Sequence, residues 1–318
     1  MEKKLKSKSI KSLLLILALP LLVSGKEISV MFWNVENLFH PSIERQNRDD
    51  EFTPTGKKRY TKKVYEIKLE QLAAIIKKAN PDILGLAEIE NRKVLEDLIA
   101  RLPHSKSWAI AHFEGADPRG IDVAILVKEK KLQLVYSEAH KVTYQTGGRT
   151  RDILQADVLI QKDTLSLLTA HFPSRYGGQQ KSEPKRLAVA ERLGIITREL
   201  PAQRKILIMG DFNDTEKDKS LTLLQSKYQL QPLLSYQEKG SYYFRGNWQY
   251  LDHFLGNAAL LDKKSITVKN RGRVLQYPQL LKKDSRSGDT IPYRFYDGNR
   301  VQRGFSDHLP ILIIIEAP

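Results

Sequence analysis

Short apolar runs that stop at a polar residue recur along the chain, and this pattern limits the possible folds more than any other feature. Residues 28–33, 83–86, 122–127, 153–160, 165–170, 205–209 and 311–315 are rich in β-branched and aliphatic side chains, as buried strands are. Helical patterns lie between them. At 64–78, Ile67, Leu69, Leu72, Ile75 and Ile76 fall largely on one face, and a second pattern covers 184–200. Strands alternating with helices predict an α/β layered domain. Lys26 to Pro318 is 293 residues, enough to bury a sizeable core, and no Gly/Ser/Pro-rich linker divides it, so a single domain over 26–318 is expected. With no cysteine in the chain, neither disulfides nor thiolate metal sites contribute, and the fold rests on packing. Residues 41–63 and 270–303 read as long irregular surface segments, and such loops are often functional.

The first 25 residues hold five lysines, an apolar run over 13–23, and then Ser24 and Gly25. This is the layout of a secretory signal peptide, with a retained N-terminal anchor as the alternative. The run is shorter than the roughly 20 residues of a membrane-spanning helix. The expectation is an exported protein, periplasmic or extracellular, with no integral membrane association after processing. The formal charge of +15 falls to +11 when the five lysines and one glutamate of this segment are removed. Such basicity favours polyanionic partners, nucleic acid or an anionic membrane surface, over a neutral ligand; a solvated basic surface is the alternative.

The chemistry is concentrated where the strand-like runs end. Met31-Phe32-Trp33 stops at Asn34, Leu84-Gly85-Leu86-Ala87 at Glu88, and Leu168-Thr169-Ala170 at His171. Ile208-Met209-Gly210 runs into Asp211-Phe212-Asn213, Tyr250-Leu251 into Asp252, and Ser306-Asp307-His308 precedes the last run. Singly, each of these polar residues has a structural explanation as a turn cap, a surface ion pair or a satisfied core histidine. Six strand ends together point to a shared pocket. Glu88, Asp307 and Asn34 offer oxygen ligands suited to a hard cation such as Mg2+ or Mn2+, and the clustered histidine spacing of a zinc site is absent. The same set meets the needs of phosphate ester hydrolysis: a positive locus for developing charge, a base for water and an acid for the leaving oxygen.

Seven motifs carry a resemblance: FWNVENLF around Asn34, DILGLAEIEN around Glu88, RGIDVAILV around Asp122, TAHFPSR around His171, MGDFND around Asp211, YLDHFL around Asp252 and FSDHLPI around His308. In this order they resemble the endonuclease/exonuclease/phosphatase superfamily of metal-dependent phosphoesterases, which includes pancreatic-type deoxyribonucleases, apurinic-site endonucleases, sphingomyelinases and inositol polyphosphate 5-phosphatases. The resemblance implies a four-layer α/β sandwich of two packed, mostly antiparallel β-sheets flanked by helices. It also implies Glu88 as the main metal ligand with Asn34 and Asp307 near the ion, and Asp211 and Asn213 positioning the attacking water and a phosphate oxygen. His308, oriented by Asp252, would contact the scissile phosphate and in one scheme act as base, while His171 would donate to the leaving group or a phosphate oxygen.

Spacing favours Glu88 over Glu90 as ligand, because Glu90 lies beyond the end of the apolar run. Glu36 and Asn37 are candidates for supporting the site, a solvated turn being the alternative. Of the arginines beside the motifs, Arg119, Arg149, Arg151, Arg175 and Arg186, the candidates for phosphate or substrate contact are Arg175, which follows His171, and Arg149; surface ion pairing is the alternative. Trp248 and Tyr250 could stack on a base or pack in the core. Three functions stay open: a nuclease acting on DNA or RNA, a phosphomonoesterase or phospholipid- or inositol-phosphate-type phosphoesterase taking a small ester, and a non-catalytic polyanion-binding protein. A monomer is expected.

Overall fold

The computed structural model describes residues 26–41, 50–130, 132–144, 147–236 and 239–317. The signal-peptide segment 1–25 and part of the 41–63 stretch therefore lie outside the described residues. Along the chain come β1 (Lys26–Leu38), α1 (Lys62–Ala79), β2 (Ile83–Ile89), α2 (Arg92–Ile99), β3 (Trp108–His112), β4 (Asp122–Lys128), β5 (Gln133–His140) and β6 (Ile153–Ile160). Then follow β7 (Asp163–His171), α3 (Gln179–Glu199), β8 (Lys205–Asp211), α4 (Lys219–Tyr228), β9 (Gln231–Pro232), β10 (Tyr242–Phe244) and β11 (Asn247–Gln249). The C-terminal part holds β12 (Asp252–Gly256), α5 (Ala258–Leu261), β13 (Thr267–Val274), β14 (Leu281–Lys283), β15 (Thr290–Pro292), β16 (Tyr296–Asp297), β17 (Arg300–Val301) and β18 (Ile311–Ala317).

Two six-stranded sheets result, ordered β13-β18-β1-β2-β4-β3 and β5-β6-β7-β8-β12-β9. Pairing is mostly antiparallel, but each sheet contains one parallel pair, β1 with β2 and β7 with β8. Parallel neighbours need a crossover, and α1 and α3 supply it. Both parallel pairs carry candidate site residues towards their C-terminal ends, Asn34 and Glu88 in one and His171 and Asp211 in the other.

The layers follow from side-chain alternation. On β7 and β8, Leu165, Leu167, Leu207 and Met209 join a core shared with β1, β2, β4, α1 and α2. The intervening Leu168, Ala170, Ile206 and Ile208 pack on the other face against Val189, Leu193 and Ile196 of α3 and Leu221 and Leu224 of α4. Each such leucine, isoleucine, valine or methionine side chain, buried from water, contributes about 1.5–3 kcal/mol. Between the sheets, a Cβ on Gly85 would lie 2.7 Å from the end of the Met209 side chain and 3.1 Å from the Phe32 ring, so a larger residue there would have to displace Met209. Helix α1 begins where Thr61 accepts a hydrogen bond from Val64 N (3.3 Å) and ends at Asn80 in the left-handed region.

Three expectations need correction. The 270–303 stretch is not irregular: it contains part of β13 and the hairpins β14–β15 and β16–β17, whose two- and three-residue strands are too short for periodicity to show. The 41–63 stretch is not all surface, since Phe52 and Tyr60 are buried against Phe39, Tyr65 and Tyr296. Helix α3 begins at Gln179 rather than at Pro184, which sits inside it; proline this early removes one backbone bond without ending the helix.

Candidate active site

The site forms where the four C-terminal strand edges meet, and backbone irregularities aim its residues. Pairing of β1 with β2 shifts register between Asn34 and Leu38, and pairing of β2 with β4 shifts at Glu88. Glu36, Asn37 and Glu88 adopt positive φ of 53°, 58° and 66°. These bulges turn side chains that a regular strand would direct elsewhere. The Glu88 carboxylate accepts from Asn37 N (2.8 Å) and, over 3.4 Å, from Asn34 Nδ2. The same Nδ2 donates to Asp211 Oδ2 (3.0 Å), while Asn34 Oδ1 accepts from Glu36 N (3.0 Å). Asn34 thus ties the ends of one sheet to the other.

From the second sheet, His171 and Asp211 are register partners on β7 and β8. His171 Nε2 lies 3.5 Å from Asp211 Oδ2 and 4.0 Å from Glu88 Oε1. Asp211 Oδ1 accepts from Asn213 N (2.9 Å), and Asn213, at φ 49°, donates from Nδ2 to Phe172 O (3.0 Å). His308 reaches in from the turn before β18, its Nδ1 2.7 Å from Asp252 Oδ2 and its Nε2 3.7 Å from Asp211 Oδ2. Ser306 Oγ fixes this turn by donating to Asn34 O (2.6 Å) and accepting from His308 N (3.1 Å). Trp33 Nε1 donates to His308 O (2.9 Å).

Environment separates the titrating groups. Burial pushes the His308 imidazolium down, but the carboxylates of Asp252 and Asp211 and the Asp252 hydrogen bond outweigh it and hold the pKa well above the ordinary histidine value. His171 goes the other way: burial, then the charges of Arg151, Arg119 and His308, hold it well below. Burial raises Asp211 to about 7, with His308 opposing and Asp252 adding to the rise. A cationic histidine, a neutral histidine and a carboxylate near neutrality therefore share one pocket.

Behind it lies a second charged network. Glu36 is buried and accepts from Arg294 Nε (3.1 Å) and from Phe295 N (2.7 Å). Arg294 also donates to Asp307 Oδ2 (3.2 Å). Lys68, fully buried, donates to Glu36 O (2.8 Å) and Phe305 O (3.2 Å). Burial raises Glu36 to about 7 and lowers Lys68 to about 8.

The metal candidates Glu88 and Asn34 are in contact, and Asp307 is held by Arg294. Among the described residues, the tightest group of potential ligand atoms is a different one, Asp211, Asp252 and His308, within 4.8 Å of one another. There Nδ1 of His308 and Oδ2 of Asp252 are engaged with each other, which leaves His308 Nε2 3.7 Å from Asp211 Oδ2. Glu88 Oε1 has Asn34 Nδ2 at 3.4 Å and His171 Nε2 at 4.0 Å, and the carboxylate oxygens of Glu88 and Asp307 are the donor type that fits a hard divalent cation. Arg175 spends its guanidinium on Asn213 O (2.7 Å), Gln249 Oε1 (3.3 Å) and Asp218 Oδ2 (2.9 Å). Arg149 is exposed, with Asp152 3.6 Å away. Trp248 and Tyr250 pack against the core. Glu90 accepts from His40 N (2.6 Å), away from the Glu88 contacts.

Sequence reasoning missed Lys68 and Arg294, gave Ser306 no role beyond its place before His308, and did not separate Arg151 from its neighbours. A lysine on the apolar stripe of α1, four residues before Leu72, was a visible signal for Lys68. Arg151 is buried and donates to His171 O (2.9 Å), Phe172 O (2.9 Å) and Asp117 Oδ2 (2.6 Å).

A sequence model described as the Endonuclease/Exonuclease/phosphatase family matches residues 29–317. No curated protein sequence matches the chain. Among solved structures, the chain is similar to an endonuclease/exonuclease/phosphatase family protein from Bacteroides thetaiotaomicron, with TM-score 0.62, 16% identity, and coverage of 92% of this chain and 99% of that one. It is similar to TDP2 from D. rerio, solved with a single-strand DNA product, with TM-score 0.58, 16% identity, and coverage of 92% and 99%. A mannosyl-6-phosphatase from Bacteroides thetaiotaomicron matches with TM-score 0.59, 16% identity, and coverage of 91% and 99%.

Proposed function

The chain belongs to the endonuclease/exonuclease/phosphatase family, whose members are phosphoesterases, and from that premise we propose that it is an exported, divalent-metal-dependent nuclease hydrolysing phosphodiester bonds of DNA or RNA. The observation that carries the reading is Asp211 between two imidazoles, with Nε2 atoms 3.5 and 3.7 Å from its Oδ2. Asp211, an acceptor with a pKa of about 7, takes the proton of the attacking water. His308, kept cationic by Asp252, donates from Nε2 to a phosphate oxygen and balances the charge that develops there. Neutral His171 donates a hydrogen bond from Nε2 to a second oxygen, and the leaving oxygen takes its proton from solvent water. Asn213 fixes Asp211 through its backbone N–H. A Mg2+ or Mn2+ ion held by Glu88, with Asn34 and Asp307 near it, would supply Lewis-acid stabilisation of the phosphoryl group.

Nucleic acid is favoured as substrate by the +11 charge of residues 26–318, and the likeness to a structure holding a single-strand DNA product accords with it. A phosphomonoesterase acting on a small ester is the second reading, favoured by the likeness to a mannosyl-6-phosphatase. The test incubates residues 26–318 with plasmid, single-stranded DNA, RNA and mannose 6-phosphate, in Mg2+ or in chelator, beside His308→Ala and Asp252→Asn. Metal-dependent cutting of nucleic acid is expected, with kcat lowered about 10²- to 10⁴-fold in both variants. Phosphate release from the sugar ester with nucleic acid intact would transfer the assignment to the second reading. Hydrolysis of nothing would leave a polyanion-binding protein. Export is tested by sequencing the N-terminus of protein recovered outside the cytoplasm, expected near Lys26.

A further inference from the structure

We propose that the β10–β11 hairpin is a base-stacking platform for a single-stranded segment of the substrate, Tyr242 and Phe244 taking the nucleobase beside the scissile phosphate and Arg245 the adjoining backbone phosphate. The proposal rests on the nuclease reading. Alternate residues of a strand share a face. Tyr243 and Trp248 lie on one face, edge to face at 5.5 Å, with Tyr243 Oη donating to Asp289 Oδ2 (2.5 Å) and Lys239 Nζ 5.8 Å from the Trp248 ring. That face anchors the hairpin to the body. Tyr242 and Phe244 lie on the other, their ring planes within 19° and their centroids 6.5 Å apart.

This second face runs outward from the catalytic centre. Tyr242 forms a β-bridge with His308, its ring centroid is 4.7 Å from the imidazole, and Leu309 N donates to Ser241 O (2.7 Å). Phe244 is thus one ring removed from the catalytic histidine, and it is 48% exposed. The hairpin turns through Arg245 and Gly246 at φ 48° and 87°, the left-handed pair of a tight two-residue turn matched to strand twist. Arg245 holds its guanidinium carbon 5.1 Å from the Phe244 ring.

Parallel aromatic faces with a cation at the outer end fit a nucleotide chain, whose every base has a π-face and whose backbone is anionic. The bases must be unpaired, because within a duplex their faces are covered by their neighbours. A lipid surface fits less well: the hairpin tip is Arg245-Gly246-Asn247, not a cluster of apolar residues.

The experiment measures binding by fluorescence anisotropy in chelator, using a short single-stranded oligonucleotide, its abasic counterpart and a matched duplex, with phosphatidylcholine–sphingomyelin vesicles as a further ligand. Phe244→Ala is expected to weaken the single strand about 5- to 100-fold and to leave the weaker abasic binding where it is. Phe244→Leu should fail like alanine, and Phe244→Trp should retain binding, which separates stacking from misfolding. Tyr136→Ala, at an exposed aromatic on β5, controls for loss of any surface ring. Equal losses on intact and abasic strands, rescue by leucine, or a loss confined to vesicles would each overturn the platform while leaving nuclease activity standing. A wild-type protein that hydrolyses sugar phosphate and binds no oligonucleotide would instead overturn the nuclease reading beneath it.

Discussion

Glu36, Asn37, Glu88 and Asn213 all adopt left-handed backbone at the site, a conformation that costs a non-glycine residue of order 1 kcal/mol or more and survives only where surroundings enforce it. Here the enforcing contacts are the hydrogen bonds that join Asn34, Asn37, Glu88 and Asp211. Asp122 shows the same tension outside the chemistry. Burial raises its carboxyl to about 7, against the single backbone donor Gly115 N, which lies 3.1 Å from both oxygens. Its folded pKa lies above its unfolded value of 3.8, so the folded state binds the proton more tightly. The stabilisation is complete below about pH 4 and lost as pH rises towards 7. Asp122→Asn, which cannot ionise, should raise Tm relative to the parent more at pH 8.5 than at pH 4.5, by up to a few kcal/mol of stability. A Tm difference that ignores pH would show that Asp122 does not titrate in this range.

At the level of elements, the two parallel pairs carry the site. Within the β7–β8 pair, a Cβ on Gly210 would lie 2.1 Å from Ala170 O, and the next residues on the two strands are His171 and Asp211. Gly210→Ala should force these strands apart, lowering stability by about 1–3 kcal/mol and reducing kcat further than global unfolding accounts for. Chemical denaturation and kcat measured well below the melting temperature check this; an unchanged kcat in a folded variant would show that the spacing of the pair does not set the chemistry. The central elements were legible because their apolar periodicity is strong. Strand β5 was not, since its exposed and half-buried residues at the sheet edge carry no clear alternation. The bulges at Glu36 and Glu88 were hidden too, because a register shift belongs to a pair of strands and leaves no mark in either alone.

For the molecule as a whole, the +11 charge of residues 26–318 predicts how polyanions bind. Duplex DNA binding in chelator should weaken linearly on a log–log plot against salt, each neutralised phosphate contributing a slope of about −0.9; titrations from low to physiological salt measure it, and a flat plot would remove electrostatics as the source of affinity. By itself the sequence determined the layered α/β class, because periodicity is local, and its motifs carried the family resemblance; Asn34, Glu88, His171, Asp211, Asn213, Asp252, Asp307 and His308 stood out as candidates because each is a polar stop in or beside an apolar run. Only the tertiary structure decided which of them meet. Asp252 and His308 are brought to 2.7 Å across 56 residues of sequence, and Arg175 is drawn into the loop contacts of Asn213 and Asp218. Protonation follows the same rule: burial and neighbours set it, so His171 is held neutral and His308 cationic by partners remote in sequence.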